Sequence, residues 1–522
     1  MPRGDVRLKL PPATRGLRTD LPSLEIPEGY LEFGENVLCR DGVLLARPGF
    51  SPVVATAPSS SRVMGMLYYG DHTQTNRLVI GTRLGLHLYT GTTWSDITGT
   101  ALTGGVDNQV RFTVFPLANA TRLLAVNDKD APQVYTGSGS FGALGGSPPI
   151  ARCVTTAFQR VVLGNVTVGG TRRGSELWIS GFQDTTIWSS STVANLTDTG
   201  DTIVEVRALN AQAFGIYKDR SQWLGIGAGN LFPFVFELRD QQPGPVSPAS
   251  VVQAEGVHYY MGQDGGIYRF DGNRCMQIGD AIRRTVQSRM RWADMGRAHG
   301  FFDSLNREVW WFYPSTEFSD AFSGVVYRLA SLEGDMPAAL SAQTFALSLS
   351  ASTSWNSMAS TTWDALTGTW DTLDSIAPTW DSFLSVGRPG GVLGQIDGQV
   401  HSLGTASGDD GSAFAATWDT PFRTYAGEGE NIRVDAVESL FARLVASRTL
   451  EIVLLKSDTV GDSGTAVPAQ SFDLGTGSST KLRATYQDQQ ARYIRVRHRI
   501  PQAQGGEEYR GSILYLYRRG ES

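Results

Sequence analysis

The chain has 522 residues, of which 41% are hydrophobic and 18% are charged, and its formal net charge is −6. This length exceeds that of one ordinary domain, and the composition is typical of a globular protein and excludes a disordered one. The mild acidity gives no sign of a protein that reads nucleic-acid sequence, because such proteins normally carry a basic domain. Three widely separated cysteines, Cys39, Cys153 and Cys275, exclude a disulfide framework and a C-x-x-C metal site, and indicate a reducing compartment.

The N-terminal residues predict neither a secretion signal nor a membrane anchor. They lead into Pro11 and Pro12 without an apolar stretch, and no run of about 18 apolar residues occurs in the chain. Residues 1–29 contain several prolines and little periodicity, which predicts an extended arm lying on other parts of the molecule.

A compact motif follows this arm. Residues 36–50 read N-V-L-C-R-D-G-V-L-L-A-R-P-G-F. The pattern predicts a strand, a turn at Asp41-Gly42, a second strand and a stop at Pro48-Gly49.

Much of the chain repeats one β-hairpin unit, and the clearest copy spans residues 251–279. There, apolar alternation predicts a strand ending at Met261 and another beginning at Ile267, with positive φ in the Asp264-Gly265-Gly266 turn. An aromatic or imidazole residue marks the second strand of each copy. These residues are His87, Tyr135, Trp178, Trp223, Tyr268, Tyr327 and His401.

The spacing of these residues predicts the fold. The intervals are 48, 43, 45, 45, 59 and 74 residues, and four of them lie near the roughly 40 to 50 residues of one four-stranded propeller blade. We therefore predict a β-propeller of about seven blades over residues 30–404, with an insertion around residues 330–385. The alternative is that an all-β chain with 59 glycines shows aromatic strands at such intervals by chance.

One helix is predicted within this β-rich chain, over residues 280–297, with Asp280 as its N-cap. Apolar residues recur at helical spacing at Ile282, Val286, Met290 and Ala293. Arginines lie mainly off that stripe, at Arg283, Arg284, Arg289, Arg291 and Arg297. They favour a solvated face on a surface helix, and the alternative is a helix that faces DNA phosphates.

Four tryptophans within the long interval are each followed by Asn or Asp. They are Trp355, Trp363, Trp370 and Trp380. Their irregular spacing favours buried anchors in short turns, and the alternative is a platform on which sugars stack.

The remaining residues, 405–522, predict a separate C-terminal β-sandwich. Alternating runs occur at 436–442, 450–455, 481–485, 493–496 and 512–517. The fold class predicted for the whole chain is therefore all-β, a propeller followed by a sandwich.

No catalytic motif in the sequence is complete. The six histidines are scattered, and His87 and His401 are expected to be packed strand residues. The pair Asp409 and Asp410 lies among turn residues, where carboxylates are usually solvated. The G-x-G-x-x-G at residues 137–142 is not followed by a helix, as a dinucleotide site requires. We therefore predict no enzyme, no cofactor and no metal site.

The motif N-x4-D-G-x4-R-P-G-F at residues 36–50, followed by a glycine-rich β chain with D-G-G-I-Y-R-F-D-G at 264–272, carries a resemblance. It resembles the nozzle proteins of short-tailed bacteriophages, also called tail tubular protein B. The resemblance covers residues 30–404 as a style of repeat, with specific matches at 36–50 and 217–279.

The resemblance implies a structural protein of the virion tail, assembled in the host bacterial cytoplasm. Six subunits would form a ring that continues the DNA exit channel and supports genome retention and ejection. The implied partners are a tail adaptor ring above, tail fibres or spikes, and double-stranded DNA in transient contact, without stable membrane insertion. The alternatives are a carbohydrate-binding propeller and, less favoured, a glycosidase.

We expect the propeller to be closed from the N-terminus, because an open ring leaves unpaired strand edges. The residues expected to close it against the last blade are Asn36, Asp41, Gly42, Arg47, Pro48, Gly49 and Phe50. The residues that would face DNA under the second interpretation of the helix are Arg283, Arg284, Arg289 and Arg291.

Overall fold

A computed structural model provides the structure of the chain. The described residues are 5–11, 15–40, 43–73, 75–228, 233–304, 306–316, 322–328, 333–335, 343–349, 390–395, 397–406, 408–424, 431–444, 448–459, 463–474, 477–503 and 508–518. The tryptophans Trp355, Trp363, Trp370 and Trp380, and most of the insertion expected around residues 330–385, lie outside them.

Within the described residues, seven four-stranded antiparallel sheets, which we call blades 1 to 7, make up the larger part of the fold. Blade 1 consists of Val63–Gly70, Asn76–Thr82, Leu86–Tyr89 and Trp94–Asp96, and blade 2 of Arg111–Leu117, Ala120–Val126, Gln133–Tyr135 and Gly142–Ala143. Blade 3 consists of Ile150–Ala157, Arg160–Val168, Thr171–Gly181 and Asp184–Asn195. Blade 4 consists of Ile203–Ala208, Ala213–Lys218, Gln222–Gly227 and Phe234–Asp240. Blade 5 consists of Val252–Ala254, Val257–Met261, Ile267–Phe270 and Cys275–Ile278. Blade 6 consists of His299–Asp303, Glu308–Pro314, Phe322–Arg328 and Glu333–Asp335. Blade 7 consists of Gln343–Leu349, Gly390–Gln395, Val400–Ala406 and Gly49–Pro52.

The blades are arranged as a closed ring. The first strands of neighbouring blades contact each other from blade 1 to blade 4 and from blade 5 to blade 7, and blade 7 contacts blade 1. Blades 4 and 5 pack through Tyr217, Tyr260 and Phe270, which are fully buried. The fold is therefore a seven-bladed β-propeller, as predicted.

The residues used to detect the repeat all occupy the same place in their blades. His87, Tyr135, Trp178, Trp223, Tyr268, Tyr327 and His401 each lie in the third strand. That strand is paired on both sides and covered by a neighbouring blade, so it favours large rings. His87 and His401 are 7% and 2% exposed, which confirms them as packed strand residues.

The N-terminal segment closes the ring, but through a shorter stretch than expected. Gly49–Pro52 pairs antiparallel with Val400–Ala406 as the fourth strand of blade 7. The expectation that residues 36–46 also pair with the last blade is wrong. Val37–Arg40 and Val43–Ala46 form a hairpin whose second strand pairs with Glu508–Arg518 in the sandwich.

The described residues of the predicted sandwich form two six-stranded sheets. The first contains Asp5–Leu10, Val37–Arg40, Val43–Ala46, Ile432–Leu444, Gly477–Ala491 and Glu508–Arg518; the second contains Phe33–Glu35, Phe414–Asp419, Thr449–Ser457, Thr465–Ala466, Gln470–Asp473 and Tyr493–Ala503. They pack face to face, with Trp418 against Phe441 at 6.2 Å between ring centroids. The sandwich is therefore built from both ends of the chain. The predicted boundary at residue 30 changes accordingly, since Phe33–Glu35, Val37–Arg40 and Val43–Ala46 belong to the sandwich.

The described residues of the predicted extended arm lie on the sandwich and on the helix. Asp5–Leu10 is a regular strand along Glu508–Arg518, and Ile26 is 1% exposed. The backbone N–H of Thr19 donates to the carbonyl of Ala281 at 2.7 Å.

The predicted helix is shorter than the sequence indicates. The α-helix spans Asp280–Arg289, and the turn Trp292–Arg297 follows as a 3₁₀ helix. Met290 between them is extended, so Ala293 leaves the apolar stripe and is exposed. The N-cap is Gly279 at φ 72°, not Asp280. Two further 3₁₀ turns are Ser23–Glu25 and Pro248–Ser250, and no helix among the described residues is long and apolar enough to cross a membrane.

Removal of residues 1–52 tests the closure. We expect loss of the cooperative thermal transition, because blade 7 and the sandwich both lose strands and expose their edges. Removal of residues 1–11 alone is the control, since it takes one edge strand and leaves the ring closed. Differential scanning calorimetry measures both, and an unchanged melting temperature for the longer deletion would contradict the closure.

The buried histidines should make the folded chain less stable in mild acid. His258 is fully buried; its Nε2 donates to the Ala208 carbonyl at 2.9 Å, and its Nδ1 accepts from the Tyr217 hydroxyl at 2.6 Å. Burial lowers the pKa of His258 to about 3, and burial lowers the pKa of His498 to a similar value. An unfolded histidine has a pKa near 6.5, so the unfolded chain binds more protons below that pH.

Stability is therefore complete above about pH 6.5 and falls as the pH drops toward 3, by roughly 1.4 kcal/mol per pH unit for each such histidine. We expect His258→Gln to flatten the decline of the urea midpoint between pH 6.5 and 5. His72→Gln is the control, because His72 is exposed. Equal slopes for the wild type and both variants would show that His258 does not contribute.

Candidate functional site

Arg47 lies at the junction of the propeller and the sandwich and is 1% exposed. Its guanidinium donates from Nη1 and Nη2 to the two carboxylate oxygens of Asp409, at 2.7 and 2.5 Å. Nη1 also donates to the Pro48 carbonyl at 3.1 Å, and the group stacks on Phe414 at 4.0 Å. Such a planar, bidentate arrangement is specific to arginine.

Asn36 completes the arrangement. Its Oδ1 accepts from Arg47 Nε at 2.6 Å, and its Nδ2 donates to the Ala415 carbonyl at 2.6 Å. Asn36 has φ 58°, in the left-handed region where Asn is among the few favoured residues. We call Asn36, Arg47 and Asp409 the clasp. It joins the N-terminal hairpin to the segment that connects blade 7 with the sandwich.

The closing strand meets that same connecting segment through its backbone. The N–H of Phe50 donates to the Gly408 carbonyl at 3.0 Å, and the N–H of Asp410 donates to the Phe50 carbonyl at 2.8 Å. A Cβ at Gly49 would lie 2.2 Å from the Gly408 carbonyl oxygen, so only glycine fits there. The Phe50 ring meets His401 edge-on at 5.1 Å.

The hairpin between these points also contacts blade 6. Arg40 donates from Nε and Nη2 to the carboxylate of Glu308, at 2.8 and 2.6 Å, and Glu308 is 1% exposed. Leu38 packs with Trp310 and Leu403 of blades 6 and 7. One hairpin therefore belongs to the sandwich sheet and contacts the propeller by charge and by apolar packing.

Those of the expected closing residues that the structure describes divide into two groups. Gly49 and Phe50 close blade 7, whereas Asn36 and Arg47 hold the connecting segment. Pro48 joins the two groups and accepts one Arg47 bond. Asp41 and Gly42 lie outside the described residues.

Asp409 is the residue that the sequence interpretation missed. It was expected to be solvated, but it is the counter-ion of a buried arginine. A buried charge needs a partner, so Arg47 between two apolar stretches was the available signal. The partner itself lies 362 residues away in sequence.

The arginines of the helix region are mostly paired with acids. Arg283 Nη2 donates to Asp264 at 2.7 Å, and Arg291 Nε lies 2.5 Å from an Asp294 oxygen. Asp264 belongs to the turn of blade 5, so the first of these pairs ties the helix to the propeller.

The other three arginines of the helix region differ in pairing and in exposure. Arg297 pairs with Asp107 at 2.6 Å. Arg289 is partly buried, whereas Arg284 is exposed and makes no ion pair with another described residue. This arrangement favours the solvated-face interpretation, and the DNA-facing interpretation stays a prediction.

The described residues offer few arrangements of side chains that could bind a metal or a cofactor. Within it, no group of three or more His, Cys, Asp or Glu side chains is arranged to hold a metal ion. The G-x-G-x-x-G at 137–142 lies between the third and fourth strands of blade 2, away from any helix.

Arg47→Ala should destabilise the chain by about 3 to 5 kcal/mol, because it leaves the Asp409 carboxylate without its partner. The control Arg284→Ala removes an exposed arginine and should change stability by no more than about 0.5 kcal/mol. Urea denaturation measures both variants. The double variant Arg47→Ala with Asp409→Ala should lose less than the sum of the single losses. Strict additivity would show that the pair is not coupled.

No protein-family model matches the sequence, and no curated protein matches it significantly. Among solved structures, the chain is similar to the crystal structure of the WD40 domain of SCAP from fission yeast. The similarity has a TM-score of 0.29 and 8% identity, and it covers 53% of this chain and 73% of that one. The assignment of seven blades rests on the strand pairing of this chain.

Proposed function

We propose that this chain is a structural protein of a bacteriophage tail, six copies of which form a ring that continues the DNA exit channel. In this role it supports retention and ejection of the genome, next to a tail adaptor ring and to fibres or spikes. It is not an enzyme in this proposal. The observation that carries this proposal is the position of the N-x4-D-G-x4-R-P-G-F motif in the fold. Its residues Asn36, Arg47, Gly49 and Phe50 join the propeller to the sandwich.

A ring that conducts DNA needs subunits whose domains do not separate. The clasp, the Arg40–Glu308 pair and the shared hairpin hold propeller and sandwich together at several points. Helix residues Ile282 and Val286 share one apolar core with sandwich strands. These contacts support a rigid building block.

The charge of the chain also supports passage without tight binding. Six chains of charge −6 carry −36, which repels phosphate on average. Arginines that bind phosphates release counterions and strengthen binding, and this would slow sliding. Arg283, Arg291 and Arg297 already pair with carboxylates, which reduces the number of free cations near the helix.

Imaging of the purified protein tests the ring. We expect closed six-fold rings by negative-stain electron microscopy, and a native mass near six times 56.5 kDa. Raising the protein concentration should increase the ring fraction, as mass action requires. A species of 56.5 kDa at every concentration would contradict self-assembly into a ring.

Binding to duplex DNA tests the conduit. We expect a Kd no tighter than roughly 10⁻⁴ to 10⁻⁶ M at physiological salt, the range of non-specific contacts. Fluorescence anisotropy with labelled duplex measures it across salt concentrations.

Arg283→Glu with Arg284→Glu should change this affinity no more than the control pair Arg220→Glu with Arg492→Glu, whose arginines are exposed elsewhere. Submicromolar, steeply salt-dependent binding abolished by the first pair alone would make the helix a DNA clamp.

A further inference from the structure

The axis of the propeller contains a cavity of about 200 Å³. Its walls come from the first strands of six blades, and its lining includes Arg111, Thr113, Thr155, Glu205 and Arg207. One buried water needs only about 10 to 15 Å³ of such space, so the cavity can hold a small molecule together with water.

One side of this cavity is formed by the 3₁₀ turn Pro248–Ser250. Ala249 of that turn lines the cavity, and its N–H donates to Gln109 Oε1 at 3.3 Å. Gln109 Nε2 donates to the Ala298 carbonyl at 3.4 Å, and Ser247 Oγ donates to the same carbonyl. The turn is therefore fixed from two blades and gives the cavity a rigid wall.

The charges around the cavity do not cancel. Arg111 Nη2 lies 3.0 Å from Glu205 Oε2, and this pair spans the ring from blade 2 to blade 4. Among the described lining residues, Glu205 is the single acid and Arg207 is a second cation. One positive charge thus remains on the propeller axis.

Arg207 is the unmatched group. Its guanidinium forms no hydrogen bond or ion pair with any described residue, and the side chain keeps part of its surface open to the cavity. Burial, and next the neighbouring Arg111, lower the pKa of Arg207 to about 10, so it stays protonated at neutral pH. A guanidinium that is largely withdrawn from solvent and has no acceptor among the described side chains favours the binding of an added acceptor.

We propose that the axial cavity binds one small oxyanion, a phosphate or a carboxylate group, against the guanidinium of Arg207. The planar fork of arginine matches two oxygens of either group. Thr155 also lines the cavity, and its hydroxyl accepts from the Ala208 N–H, so its own proton can be donated to an oxyanion. The site uses none of the residues of the clasp or of the helix, so it is independent of the proposed function.

Isothermal titration calorimetry of the full chain, at constant ionic strength set with sodium chloride, tests this inference. Inorganic phosphate and acetate are titrated separately, and the tighter of the two identifies the source of the oxyanion. We expect one saturable site per chain for at least one of them. Arg207→Gln should weaken its binding at least tenfold, because the charge and the fork are both lost.

Two further variants keep the result decisive. Arg284→Gln removes an exposed arginine outside the cavity and should bind as the wild type does. Arg207→Lys retains the charge but not the fork, and we expect an affinity between those of the wild type and Arg207→Gln. It serves as the test if Arg207→Gln does not fold. Absence of saturable binding of either anion to the wild type, or equal binding by all variants, would overturn the proposal.

Discussion

The fold depends on keeping one buried cation satisfied. Arg47 lies between the propeller and the sandwich with almost no exposure, so its charge must be matched within the protein. Asn36, Asp409 and the Pro48 carbonyl provide that match, and Phe414 covers the guanidinium face. Because these partners come from both ends of the propeller segment, the same contacts serve ring closure and domain docking. A chain that fails to close its ring also leaves a charge unpaired.

The same constraint explains why the two ends of the chain are interwoven. A propeller whose last blade is completed from the N-terminus brings that terminus next to the exit of the last blade. The adjacent hairpin, Val37–Arg40 and Val43–Ala46, then has two neighbours, and it joins the sandwich sheet while Arg40 reaches blade 6. The sandwich therefore covers strand edges that a free-standing hairpin would leave open.

Polar groups at the centre of the ring differ from those at the clasp in how they are paired. At the clasp, donors and acceptors are matched within the chain. On the axis, Arg111 and Glu205 form an ion pair, but Arg207 has no hydrogen bond or ion pair with any residue that the structure describes. An unmatched charge in a rigid, partly solvated cavity suits a ligand better than it suits structural support. The arginines of the helix lie between these two cases, since most have carboxylate partners at the surface.

The sequence by itself determined the all-β class, the number of blades and the sandwich. Alternation along strands and the aromatic or imidazole residue in each third strand repeat because every blade meets the same packing demand. It also placed the helix near residue 280, although not the break at Met290, where the backbone becomes extended and Met290 is buried. Only the tertiary structure decided that Asp409 pairs with Arg47, that residues 37–46 join the sandwich and that Arg207 faces the axis. Such pairings connect segments hundreds of residues apart and leave no periodic trace in the sequence, because they depend on three-dimensional proximity alone.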